Sequence, residues 1–140
     1  MHCGDFVAPF ALLPFRQLSC KSFHAVYGNN DGEKAGLEKL AGANGWQLGH
    51  QPKEVEICGK LIAMIHEPDA VDELLSRNKF DAILFGHTHK ITAQKVGKTL
   101  LLNPGEGCGY LGGKGTVAIL DLQSMDVEFH RIGHALPSVF

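Results

Sequence analysis

Polar residues that can hold metal ions follow strand-like apolar segments at several points: Asp5, Asn29, Asn30, Asp31, His66, His87 and His89. Ligand-binding and catalytic sites collect where strands end. His87 and His89 are two residues apart, so an extended chain points both imidazoles to one side, whereas a loop lets them converge differently. Carboxylate, amide and imidazole groups form a mixed set suited to Mn²⁺, Fe²⁺, Ni²⁺ or Zn²⁺. Since no Cys cluster accompanies them, the pattern favours an open, catalytic metal site.

Each of these motifs also has an ordinary structural interpretation. Gly4-Asp5 alone could be a turn or a helix cap, and the segment 28–32 alone is typical of a turn. His66 alone could be a hydrogen-bonded histidine at a strand end. The combination of all the motifs, each at a strand end, indicates a functional site.

The predicted elements that position these residues alternate between strands and helices. Strands are predicted over 21–27, 53–58, 60–65, 80–85, 91–96, 99–102, 115–121 and 127–132, and helices over 32–44 and 68–78. The segments 53–65, 91–102 and 115–132 each read as a hairpin. This pattern predicts an α/β fold in which two mixed β-sheets pack face to face and helices flank them, an α/β/β/α sandwich in one domain over 1–140.

Composition excludes several classes of protein. The chain has 140 residues, 44% of them hydrophobic and 20% charged, with a net charge of -2, so it is neither disordered nor a general nucleic-acid clamp. Its apolar segments are too short or too interrupted to cross a membrane. The four cysteines form no C-x-x-C pair, and no secretory signal opens the chain, so we expect a cytoplasmic protein.

Five motifs occur in a characteristic order: His2-Cys3-Gly4-Asp5, Gly28-Asn29-Asn30-Asp31, Ile65-His66, Gly86-His87-Thr88-His89 and Asn103-Pro104-Gly105. In this order the chain resembles the calcineurin-like metallophosphoesterases, from residue 2 to about residue 121. The segments 27–33 and 103–113 resemble the small archaeal and bacterial phosphodiesterases of the YfcE type. The resemblance therefore covers most of the chain.

The resemblance implies two divalent metal ions and a small phosphate-ester substrate. In that scheme Asp5 bridges the two ions, His89 binds the first, and three residues complete the shell of the second: Asn29, His66 and His87. The ions lower the pKa of a shared water, and the resulting hydroxide attacks phosphorus. Asn103 and Gly105 would lie beside the substrate, where the loop to Gly113 either offers backbone N–H groups or is purely structural.

The sequence departs from the family pattern in three places. An Asp-x-His motif upstream of Gly4-Asp5 is absent from the sequence, so we expect an N-terminally incomplete domain that lacks the first strand. His66 is followed by Glu67 and Pro68 in place of Gly and a second His. At the position of Asn30, many members of the family have a His that acts as an acid toward the leaving group. Asn30 and Asp31 therefore occupy the catalytic position, and we expect Asp31 to orient its neighbours. Because Asn30 cannot supply a proton, we expect the smallest effect on the hydrolysis of activated aryl phosphodiesters, whose leaving groups need little protonation.

These observations predict a divalent-metal phosphodiesterase or phosphatase. Two alternatives belong to other classes: a scaffold of the same fold that binds proteins, as the retromer subunits that resemble this family do, and a structural or metal-storing module. An exposed strand edge would also favour homo-oligomers.

Overall fold

The computed structural model describes residues 1–133, so residues 134–140 of the predicted domain lie outside the described residues. Its strands are β1 (His24–Val26), β2 (Gln47–Gly49), β3 (Lys53–Ile57), β4 (Lys60–Met64), β5 (Ala82–Leu84), β6 (Thr92–Val96), β7 (Thr99–Asn103), β8 (Gly115–Leu120) and β9 (Val127–Ile132). Its helices are α1 (Lys34–Ala43), α2 (Val71–Ser76) and two 3₁₀ helices, Pro9–Gln17 and Pro68–Ala70. Over this range no helix is both long and apolar enough to cross a bilayer.

The strands of the described range form three hydrogen-bonded groups. The largest is a five-stranded sheet in the order β3-β4-β5-β7-β6, whose three central strands are parallel and whose two edge strands are antiparallel to their neighbours. β1 and β2 pair in parallel, and β8 and β9 form an antiparallel hairpin. A parallel bridge joins His2 to Ala25 of β1.

The two faces of the five-stranded sheet bury different sets of side chains, because successive residues of a strand point to opposite faces. Ile62 and Met64 of β4 lie in a layer that the β8-β9 hairpin helps to cover. Ala63 and Ile65 lie in the opposite layer, against Leu74 of α2. Each Ile, Leu or Met side chain buried in this way contributes roughly 1.5–3 kcal/mol.

β1 separates the sheet layer from a second helical layer. Val26 faces the layer that contains Ile62, whereas Ala25 packs with Leu37 of α1 and Leu12 of the first 3₁₀ helix. The order of layers is therefore helix, strands, strands, helix, which confirms the predicted α/β sandwich.

All ten predicted elements are present, most of them with shorter bounds; β9 has the predicted bounds and β7 is one residue longer than predicted. The three predicted hairpins are confirmed. The helix predicted over 32–44 is α1, and the one predicted over 68–78 begins as a 3₁₀ turn and continues as α2. The 3₁₀ helix Pro9–Gln17 and strand β2 were not predicted. Pro14 removes a backbone donor from the first, and β2 is too short to show alternation.

Candidate active site

The carboxyl ends of four strands bring the sequence motifs together. His66 lies two residues beyond β4, His87 three beyond β5, and Asn103 is the last residue of β7. Gly86 N–H donates to the His66 carbonyl at 3.0 Å, so the parallel ladder continues past the strand ends. Asn29 follows β1 by three residues and reaches the same edge through its side chain.

Four donor atoms converge at this edge: Asp5 Oδ2, Asn29 Oδ1, His66 Nε2 and His87 Nδ1. Asn29 Oδ1 lies 2.8 Å from His66 Nε2 and 2.9 Å from His87 Nδ1. His66 Nε2 is also 3.3 Å from His87 Nδ1 and 3.4 Å from Asp5 Oδ2. His66 is buried and the amide of Asn29 is exposed, so the cluster opens to solvent on one side.

The hydrogen bonds of His66 fix the direction of its lone pair. Its Nδ1 donates to the Cys3 carbonyl at 2.6 Å, because a carbonyl oxygen can only accept. In the neutral ring Nε2 then presents a lone pair to the Asn29 oxygen, and two acceptors at that distance repel each other. A metal ion held between the donors would relieve this repulsion.

The spacing of the four donors fits a metal ion. Bonds of about 2.1 Å at right angles place neighbouring ligand atoms about 3 Å apart, close to the separations of 2.8 to 3.4 Å in the cluster. Counting only His, Cys, Asp and Glu, no three side chains within residues 1–133 form an ion-binding group. The amide of Asn29, which joins His66 to His87, is therefore essential to the set, and its mixed chemistry suits a divalent transition metal.

Asp31 holds the two loops that carry Asp5 and Asn29. It is 4% exposed, and its carboxylate accepts backbone N–H groups from Gly28 at 2.7 Å, Val7 at 2.8 Å and Asp5 at 3.2 Å. These bonds use the carboxylate inside the protein, consistent with the predicted orienting role of Asp31.

Two glycines allow these loops to approach closely. A Cβ on Gly28 would lie 2.1 Å from Asp5 Oδ1. A Cβ on Gly4, which has φ +95°, would lie 2.6 Å from the Gly28 nitrogen and 2.7 Å from His66 Nδ1. The Gly4-Asp5 and Gly28-Asn29 motifs therefore depend on glycine for steric reasons.

Asn30 holds Asp5 from the solvent side. Its backbone N–H donates to Asp5 Oδ1 and its side-chain amide donates to Asp5 Oδ2, both at 2.8 Å. These two bonds fix the orientation of the carboxylate and leave Asn30 exposed beside the four donors.

Within residues 1–133, no hydrogen bond or ion pair joins His89 to the other predicted ligands. His87 and His89 have positive φ values of 60° and 57°, so the segment that carries them is not an extended strand. The nearest acidic partner of His89 Nδ1 is Glu106 Oε2, at 3.8 Å. The structure thus brings together Asp5, Asn29, Asn30, His66 and His87, with His89 to one side.

Asn103 ties the histidine loop to the next segment of the chain. It is fully buried, and its side-chain amide donates to the Gly86 carbonyl at 2.8 Å and to Thr88 Oγ1 at 3.1 Å. Its Oδ1 accepts Gly105 N–H at 2.9 Å. Asn103 and Gly105 therefore form a connected turn next to His87.

Sequence reasoning missed two residues that hold the site. Gln51 Oε1 accepts the backbone N–H groups of His66 and, at 3.3 Å, Glu67. Glu106 lies buried beside His89. A charged residue within a glycine-rich segment is a sequence signal that could have indicated Glu106, whereas Gln51 has no such signal.

His2, which lies two residues before Gly4, accepts a hydrogen bond and has a structural role. Burial and the nearby N-terminal charge lower its pKa to about 4. Its Nδ1 accepts Gly4 N–H at 3.2 Å, and its ring stacks on Phe6 with centroids 3.9 Å apart. The neutral ring thus supports the turn at Gly4.

Comparisons with known proteins agree with these motifs. Residues 1–125 match the Calcineurin-like phosphoesterase superfamily domain. Phosphodiesterase MJ0936 of Methanocaldococcus jannaschii is 35% identical over 129 residues, which cover 90% of this chain and 77% of that protein. The sequence similarity therefore extends through all five motifs.

Solved structures give the same result for the fold. A structure described as a novel archaeal phosphodiesterase superposes with a TM-score of 0.85 and 32% identity, over 94% of this chain and 81% of that chain. The Escherichia coli phosphoesterase Yfce gives a TM-score of 0.52 at 15% identity, over 93% of this chain and 80% of that one. Vacuolar Protein Sorting 29 from Cryptosporidium parvum gives 0.59 at 16% identity, over 95% and 79%. The last two similarities show the fold alone.

Proposed function

Because the chain belongs to the calcineurin-like phosphoesterase superfamily, we propose that it is a divalent-metal-dependent phosphodiesterase or phosphatase that hydrolyses small phosphate esters. The observation that carries the proposal is the convergence of Asp5, Asn29, His66 and His87 at one strand edge. A curated relative and a solved structure are each described as a phosphodiesterase, which supports the reaction class.

One metal ion would be held by Asp5, Asn29, His66 and His87. His89, which lies beside Glu106, would contribute to a second ion. Divalent ions such as Mn²⁺, Ni²⁺, Fe²⁺ or Zn²⁺, when bound, neutralise phosphate charge and lower the pKa of water. The protein orients the donors: the Cys3 carbonyl turns His66 Nε2 toward Asn29, and Asn30 holds both oxygens of Asp5.

Asn30 and Asp31 have different proposed roles in the reaction. Asn30 is exposed beside the donors and can hydrogen-bond a phosphate oxygen, but its amide cannot protonate a leaving group. The Asp31 carboxylate accepts hydrogen bonds from three backbone N–H groups, and Asp31 acts as a positioning residue. Esters whose leaving groups need little protonation, such as aryl diesters, are therefore the expected substrates.

Asn103 and Gly105 are proposed to lie on the substrate side of the site. Asn103 fixes the loop that carries His87 and also holds Gly105 N–H. A Cβ at Gly105, which has φ +89°, would lie 2.3 Å from Thr116 Oγ1. Gly105 therefore allows the turn to pack closely against Thr116 of β8, and the turn directs the chain from β7 into the following glycine-rich segment.

The cellular setting is part of the proposal. The four cysteines are free thiols, as expected for a cytoplasmic protein. The outward side of β8 exposes Val117 and Ile119, which is compatible with a homo-oligomer. Gel filtration with light scattering measures the oligomeric state directly.

The test combines metal content with catalysis. Protein purified without chelator is analysed for bound metals and assayed with bis-p-nitrophenyl phosphate and added Mn²⁺. We expect bound metal and turnover, both lost after EDTA treatment and restored by Mn²⁺. His87→Ala should lower kcat/KM by about 100-fold or more, because loss of even an outer contact of a metal ligand costs 10–100-fold.

The matched control is His130→Ala, on β9, which should keep wild-type turnover. Circular dichroism and thermal melting confirm that both variants fold. A folded, metal-loaded wild type without turnover would contradict the proposed enzyme and favour a scaffold of the same fold. Unchanged turnover in His87→Ala would contradict the proposed site.

A further inference from the structure

Glu106 holds the glycine-rich loop that follows the Asn103 turn. This loop comprises residues 107–113. The Glu106 carboxylate accepts Leu111 N–H at 2.8 Å through Oε1 and Gly112 N–H at 2.9 Å through Oε2. The Cys108 thiol donates to Oε1 at 3.2 Å. One buried side chain therefore fixes the far end of the glycine-rich loop back onto its beginning.

The same carboxylate connects the glycine-rich loop to the candidate active site. Oε2, which accepts Gly112 N–H, lies 3.8 Å from Nδ1 of His89. One carboxylate thus joins the glycine-rich loop and His89.

The glycine-rich loop presents two large side chains to solvent. Tyr110 is 82% exposed and Leu111 is 71% exposed, whereas the loop is otherwise mainly glycine. Single exposed apolar residues are common, but these two are adjacent, and they lie on a loop that Glu106 ties to His89 of the candidate site. A tyrosine ring favours aromatic partners.

We propose that the glycine-rich loop, fixed by Glu106, seats the organic group of a phosphodiester, and that Tyr110 and Leu111 contact an aromatic or otherwise apolar ester group. Glu106 is then a positioning residue, and Tyr110 determines specificity. This inference rests on the proposed function, since it assigns the substrate class of the same site.

The kinetic test uses two esters with the same leaving group. Bis-p-nitrophenyl phosphate carries a second aryl group, and methyl p-nitrophenyl phosphate carries a methyl group in its place. Both are assayed with Mn²⁺ on the wild type, Glu106→Gln and Tyr110→Ala. Gln offers one oxygen for two N–H donors, so it loosens the loop, and Tyr110→Ala removes an exposed ring without disturbing the fold.

The wild type should prefer the bis-aryl ester by about tenfold in kcat/KM. Both variants should lose most of this preference through a higher KM for the bis-aryl ester. In Tyr110→Ala, kcat/KM for the methyl ester should change by less than about threefold, whereas Glu106→Gln should lower it as well, because Glu106 also lies 3.8 Å from His89. The control variants Glu128→Gln and Ile119→Ala, at exposed positions, should keep the wild-type ratio. If Glu106 had a merely structural role, its substitution would lower kcat/KM equally for both esters.

Isothermal titration with diphenyl phosphate and dimethyl phosphate provides a readout without turnover. The wild type should bind diphenyl phosphate about tenfold more tightly, and Tyr110→Ala should not. If the wild type hydrolyses neither ester, the proposed function fails, yet this affinity ratio still decides the inference. Equal affinities for the two phosphates, binding of neither, or an unchanged ratio in Tyr110→Ala would overturn it.

Discussion

Asp31 and Glu106 are both buried carboxylates that accept backbone N–H groups beside the candidate site, but they connect very different parts of the chain. The bonds of Asp31 to Asp5 and Val7 span 26 and 24 residues. The bonds of Glu106 to the glycine-rich loop span only 5 and 6 residues. Asp31 therefore joins distant segments, whereas Glu106 shapes one loop.

Because of this difference, we expect Asp31 to affect the stability of the fold and Glu106 to affect the substrate specificity. Long-range bonds hold together segments that are far apart in the unfolded chain, so their loss should affect folding. A local clamp such as Glu106 acts mainly on the shape of its own loop, whose tip at Tyr110 and Leu111 is exposed. We therefore expect substitutions at Asp31 to affect folding and catalysis together, and substitutions at Glu106 to affect the choice of substrate.

Asp31→Ala should have the largest effect. It leaves three backbone N–H groups without an acceptor, at roughly 1–3 kcal/mol each, so we expect the free energy of unfolding to fall by about 3 kcal/mol or more, with loss of turnover. Urea denaturation measures the change, and Asp126→Ala at an exposed position serves as the control. Wild-type stability in an inactive Asp31→Ala variant would break the comparison.

Asn103→Ala should have an intermediate effect, because Asn103 connects the two regions. It removes bonds to the Gly86 carbonyl, Thr88 Oγ1 and Gly105 N–H, and we expect a loss of about 2 kcal/mol in stability. Both turnover and the preference for aryl esters should decrease. Asn103→Asp keeps the acceptor for Gly105 but not the donors, so its ester preference should lie nearer the wild type.

The difference between the two regions also explains what could be predicted. Strand-end polar residues are visible in the sequence, so Asp5, Asn29, His66 and His87 were predicted and lie together. The segment that carries His87 and His89, by contrast, has left-handed backbone at both residues, and His89 lies beside Glu106. That conformation belongs to the folded loop, and a two-residue spacing does not encode it.

Elements with glycine turns and alternating residues were predictable, and elements set by tertiary packing were not. The hairpin of β3 and β4 turns at Cys58-Gly59, where both residues have positive φ. In contrast, β2 has three residues and exists because β1 lies beside it. Gln51 belongs to the second class, since its contact with the backbone of His66 and Glu67 forms only in the folded protein.

Asp81, a carboxylate at the opposite edge of the sheet, shows how large an effect on stability a purely structural carboxylate has. Asp81 accepts Leu61 N–H at 2.9 Å and contacts Lys60 Nζ at 3.4 Å, away from the site residues. The Leu61 N–H and, to a lesser extent, Lys60 hold the Asp81 pKa below its usual value of 3.8 despite partial burial. Asp81→Asn should therefore reduce stability by about 1 kcal/mol near neutral pH.

The pH dependence of that loss checks its cause. Since the folded-state pKa of Asp81 is lowered, its ionised form stabilises the fold above pH 3.8, and this contribution disappears as the pH falls below 3.8 through the folded value. The stability difference between wild type and Asp81→Asn should therefore shrink over that interval, as measured by urea denaturation at each pH. Turnover and ester preference should not change in this variant. A change in ester preference would mean that loosening any carboxylate clamp alters specificity, and the assignment of specificity to the Glu106 loop would lose its basis.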